Sequence, residues 1–127
     1  MTKSDYNKSM FLQALETKCE KIFLDYADNF GEVDADEVIK RVNMSSSIIA
    51  VRANQVIDCI LNKPNCRVNE VLIKVILAKI RYVITSELVL FSAHFDFYDL
   101  DLTSLDGLKY INFPFEFYLT AYIHEVV

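Results

Sequence analysis

Glycine and proline are almost missing from this chain. Its 127 residues hold two of each: Gly31, Gly107, Pro64 and Pro114. A many-stranded β fold needs turn residues at short intervals, so that class is disfavoured. GxGxxG and Walker-type phosphate loops need several closely spaced glycines and are excluded. Histidine is as scarce. His94 and His124 stand alone, and neither falls in HExxH or any other His/Cys ligand spacing. Asp99, Asp101 and Asp106-Gly107 lack the spacing and terminal Glu of a calcium loop. There is no GxSxG elbow. No metal, no cofactor and no enzymatic activity is therefore expected.

Cysteine is limited to Cys19, Cys59 and Cys66, an odd number without a CxxC pair. That pattern suits reduced thiols and a cytoplasmic setting rather than a disulfide framework. The polar N-terminus is not followed by an apolar h-region, so no signal peptide is expected. Long uncharged apolar runs are missing too. In the most apolar stretch, Val68 to Phe91, Lys74, Lys79 and Arg81 keep them to four residues, against the ~20 a membrane span requires.

What is abundant is apolar and aromatic. Hydrophobic residues make up 53 %, with nine Phe and seven Tyr. One domain over 1–127 with a substantial core is expected, and disorder is not. The Val68–Phe91 stretch contains no Gly or Pro. Wound at 100° per residue, Glu70, Lys74, Arg81 and Thr85 share a narrow polar stripe. Val71, Leu72, Val75, Ile76, Ile80, Val83, Ile84 and Phe91 spread over the rest. Such a rod reads as a central helix wrapped by its neighbours. Two buried strands are the competing reading, but nothing divides the run into strand lengths.

The other elements follow from periodicity and caps. Phe11, Leu15, Cys19, Ile22, Tyr26 and Phe30 place one apolar face on a first helix at about 5–30, capped by Ser4 or Asp5 and closed by Gly31 at C′. Asp34 and Glu37 form a capping box, with Val33 and Val38 as its hydrophobic staple, opening a second helix at 34–43. Asn43-Met44-Ser45-Ser46-Ser47 reads as a break, and a third helix follows at 47–62. The central helix is fourth, at 68–91. Pro114 behind Asn112 starts a last helix at 114–126, with Leu119, Tyr122, Ile123 and Val126 inward. The fold class is thus all-α, a single-domain bundle of about five helices.

Charge supplies the functional expectation. Residues 1–91 carry twelve basic and twelve acidic side chains, whereas 92–127 hold six acidic residues against Lys109, so the whole −5 lies in the last 36 residues. There Asp96, Phe97, Tyr98, Asp99, Asp101 and Asp106 mix carboxylates with rings. Rings anchor a protein interface and carboxylates steer a basic partner towards it. The alternative use is structural: Phe97 and Tyr98 as core, the aspartates as a solvated loop. The leading function is a cytoplasmic, non-enzymatic protein that binds and modulates a protein partner with a basic surface, of inhibitor, immunity or adaptor type. An alternative is a helix-turn-helix regulator over 33–62, with Lys40, Arg41 and Arg52 towards phosphates and Asn54 and Gln55 available to bases. A second is a structural subunit whose aromatics are covered by its neighbours.

Overall fold

The computed structural model describes residues 2–28, 30–31, 33–63, 66–96 and 112–126. These form four α-helices: α1 (Lys3–Ala27), α2 (Ala35–Leu61), α3 (Glu70–His94) and α4 (Glu116–Val126). No strand occurs among the described residues. α1 packs on α2 and α4, and α2 packs in turn on α3.

Each long helix begins on a side-chain cap. Thr2 Oγ1, rather than Ser4 or Asp5, accepts the Asp5 N–H at 3.2 Å to open α1. Asp34 opens α2 as expected, taking the Asp36 N–H at 2.9 Å. Glu37 does not complete the box. Its carboxylate stands 3.7 Å from His94 Nε2 on α3. Asn69 opens α3 by accepting the Leu72 N–H at 2.9 Å. Gly31 is not the C′ residue of α1: that helix ends at Ala27 with Asp28 as its cap, and no described glycine has positive φ.

The break expected at 43–47 is absent. α2 runs through it, joining the two helices read at 34–43 and 47–62. Ser46 Oγ donates back to the Val42 carbonyl at 2.9 Å and the Asn43 carbonyl at 3.1 Å, which satisfies the hydroxyl inside the helix. Val38, Val42, Ser45, Ser46, Ile49, Ala53, Ile57 and Ile60 form one buried face across the supposed break. Burial of that face holds the serines helical against their weak preference.

The helices run antiparallel, as their polar contacts show. Lys8 near the start of α1 meets Asp58 near the end of α2, with Nζ 2.7 Å from Oδ1. Arg52 on α2 meets Glu87 on α3, and Glu37 meets His94. Asn7 Nδ2 donates to Glu125 on α4 at 3.4 Å, while Phe115, leading into α4, stacks on Phe11 at 5.5 Å.

α1 packs against both α2 and α4. Phe11, Leu15, Cys19 and Phe23 are wholly buried along it. α3 buries only one face, with Ile73, Ile76, Ile80, Val83, Ile84, Leu88 and Phe91 turned inward. Its opposite side is apolar and open to solvent: Val71 is 67 % exposed and Tyr82 71 %, with Val75, Val89 and Leu90 also exposed. The reading of a fully wrapped central helix is therefore corrected. It rests on a helix apolar nearly all round, and the outer stripe of that pattern is open. On α4, Leu119, Tyr122 and Ile123 are buried as expected, but Val126 is exposed and the lead-in Phe113 and Phe115 are buried instead.

Two stability outcomes follow. Ile76→Ala or Ile80→Ala, at wholly buried positions, is expected to cost ~2–5 kcal/mol in urea melts, whereas Glu70→Ala should cost under ~1 kcal/mol. Ser46→Pro should cost ~3 kcal/mol or more, because it interrupts a helix interior; a near-neutral result would restore the break at 43–47.

Candidate interaction surfaces

Of the six residues assigned from sequence to the partner surface, Asp96 is described. Phe97, Tyr98, Asp99, Asp101 and Asp106 lie outside the described residues. Asp96 is exposed and follows Phe95, the C-cap of α3. It has φ 54°, the left-handed conformation of a C′ residue, and its N–H donates to the Ala93 carbonyl at 3.2 Å. Asp is among the few non-glycine residues that take this conformation readily. Asp96 thus ends α3 as well as carrying charge.

The helix-turn-helix arrangement fails on two counts. Continuous α2 removes its turn. Its cations are also dispersed: Arg52 Nη1 donates to the buried Glu87 carboxylate at 3.0 Å, Lys40 is exposed and Arg41 half-buried. Asn54 is half-buried and lines a groove against α1. The two-helix arrangement read over 33–62 is therefore not formed.

The structure brings out two features that sequence reasoning missed. First, nine of the thirteen large apolar side chains exposed among the described residues belong to α2 and α3. On α2, Met44, Ile48 and Val51 share one outer stripe at i, i+4, i+7 spacing. On α3 the corresponding stripe is Val71, Val75, Tyr82 and Val89. The signal in the sequence was a helix apolar all round, which was taken to mean burial on all sides.

Second, a trough runs between α2 and α3. One part is lined by Arg52, Cys59, Ile60, Lys63, Lys79 and Val83 among others, and the next by Ile60, Lys63, Arg67, Val71, Leu72 and Val75. Ile60 and Lys63 line both parts, which makes them neighbours along the α2–α3 seam. The periodicity of α2 and of α3, taken one helix at a time, does not reveal a wall built from both.

All three cysteines are free thiols. Burial pushes the Cys19 thiol up from 9.0 to about 12, opposed weakly by Lys18. Cys59 is exposed and Cys66 half-buried. No helix among the described residues is long and apolar enough to cross a membrane. No protein-family model, no curated protein and no solved structure matches the chain.

Two measurements check this geometry. With Ellman's reagent at pH 8, Cys59 should react at once and Cys19 only as the protein unfolds. Because the folded Cys19 holds its proton more tightly than the unfolded chain, stability should fall as pH rises through 9 towards about 12; a flat profile over that window would contradict its burial. At the end of α3, Asp96→Gly should preserve or raise Tm and Asp96→Val should lower it, since the position has positive φ.

Proposed function

We propose that this chain is a non-enzymatic protein that binds and modulates a protein partner, as an inhibitor, immunity protein or adaptor does. The concentration of exposed apolar side chains on α2 and α3 carries this reading. Monomeric proteins rarely leave large contiguous apolar patches open, and a patch rimmed by polar residues is characteristic of an interface. Tyr82, the most exposed of these side chains, is of the residue type that anchors interfaces.

The acidic segment continues from the end of that surface. α3 stops at His94, and the chain passes through Asp96 into Phe97, Tyr98, Asp99, Asp101 and Asp106. Carboxylates there would accelerate encounter with a basic partner surface, and the rings would set residence time. The three free thiols support a reducing, cytoplasmic setting. The same apolar exposure favours one further reading, a structural subunit whose outer face is covered by other chains.

Photo-crosslinking in the native source tests both. With p-benzoylphenylalanine in place of Tyr82, a covalent adduct to one heterologous protein is expected, and none from Thr17, an exposed position on α1. No adduct at Tyr82 would contradict a partner on this face, and a set of adducts matching one large complex would favour the subunit reading. With the captured partner, Asp99→Asn with Asp101→Asn should slow association and flatten its salt dependence. Tyr98→Ala should mainly speed dissociation, costing ~2 kcal/mol or more. Association unchanged across salt would remove the acidic segment from the interface.

A further inference from the structure

We infer that the trough between α2 and α3 is a second docking site, and that its occupant is an acidic amphipathic helix of a partner protein. The argument is one of charge and shape. Four cations, Arg52, Lys63, Arg67 and Lys79, line the trough, and no carboxylate does among the described residues. This stands against a chain of net charge −5. Arg52 is committed to Glu87. Lys63, Arg67 and Lys79 are exposed, and among the described residues no carboxylate lies within ion-pair distance of them.

The cations stand on both sides of an aliphatic floor. Lys63 follows Asn62, the C-cap of α2, and Lys79 sits on α3, while Ile60, Leu72 and Val83 lie below them. A ligand seated between needs carboxylates along its two edges and apolar groups along its underside. From Val71 to Val83 the α3 wall is about 18 Å long at 1.5 Å per residue, room for roughly three turns of a third helix. A channel between two antiparallel helices is the shape into which a third packs, with apolar anchors at i, i+3 or i+4 and i+7.

Other polyanions fit less well. Among the described residues the trough offers no aromatic ring on which a base could stack. A bilayer is flat, and touches the protruding Val71 and Tyr82 without reaching the floor. The site is independent of the acidic segment proposed above, since it selects a partner surface of the opposite sign.

The test uses the full chain and a phage-displayed library of randomised 14-residue helical peptides. Selection on the native protein, with counter-selection on Lys63→Glu/Lys79→Glu, should enrich sequences with apolar residues at i, i+4 and i+7 flanked by Glu or Asp. A synthesised winner should bind the double variant at least tenfold more weakly. It should also slow iodoacetamide alkylation of Cys59, which lines the trough. Both substituted lysines are exposed, so the variant should keep the native circular dichroism and Tm; if it does not, Lys63→Gln/Lys79→Gln is used, with a smaller loss of the same sign expected. Enrichment of neutral or basic peptides, or binding that leaves Cys59 alkylation unchanged, overturns the proposal. So does binding to phosphatidylglycerol vesicles or a 20-base-pair duplex that the same variants weaken, when no acidic peptide binds.

Discussion

Burial of the aromatic face of α1 is the constraint on which the other helices depend. Phe11, Leu15, Cys19 and Phe23 have no exposure, and no single neighbour can cover them all. At one end Phe11 needs Phe115 from the lead-in to α4. At the other, Phe23 meets Phe91 of α3 edge-on at 5.3 Å, with Tyr26 and Phe95 completing the cluster. α2 packs along the length between. Covering two fully buried Phe rings in this way contributes several kcal/mol, on the order of 1.5–3 each. That requirement assigns α2, α3 and α4 their places.

Polar contacts then choose among the registers that hydrophobic burial alone would allow. Glu87 is buried on α3, and Arg52 answers it from α2 at 3.0 Å. A buried ion pair adds little net stability, but sliding α3 by a turn would strand Glu87 without its guanidinium, at ~3–5 kcal/mol. Tyr26 Oη and Ser92 Oγ, 3.3 Å apart, make a smaller demand of the same kind between α1 and α3. On the far side of α3, Arg81 lies over the Phe113 ring at 5.1 Å, tying the entry of α4 to the middle of α3. With register set by these contacts, Lys63 and Lys79 fall on opposite walls of one trough, Val71 and Val75 form its outer lip, and Tyr82 falls outside.

The sequence carried the all-helical class plainly, through scarce glycine and proline and through long apolar periodicities. Asp34 as a cap, and Ile76, Ile80 and Ile84 as core, were legible for the same reason: each depends on its own helix. The two main misreadings have separate causes. Ser45-Ser46-Ser47 looks like a turn because serine competes for backbone hydrogen bonds, yet Ser46 makes its bond within the helix, to Val42. The reading of a fully buried α3 follows from a separate signal, an apolar pattern that runs nearly all round the helix. In the structure Val71, Val75 and Tyr82 on that helix are exposed. The trough was illegible for a different reason, since its two walls are more than fifteen residues apart in sequence at Lys63 and Lys79.

The central claim is that α3 buries one side and presents an apolar outer side to solvent and to partners. Methyl-labelled protein in the presence of a soluble paramagnetic agent tests this directly, because relaxation reports the depth of each methyl. The account predicts strong enhancement at Val71, Val75 and Val89 and little at Ile76, Ile80 and Val83. Val71 and Val75 methyls as protected as that of Ile80 would show α3 wrapped on all sides, and the proposed surface would be gone.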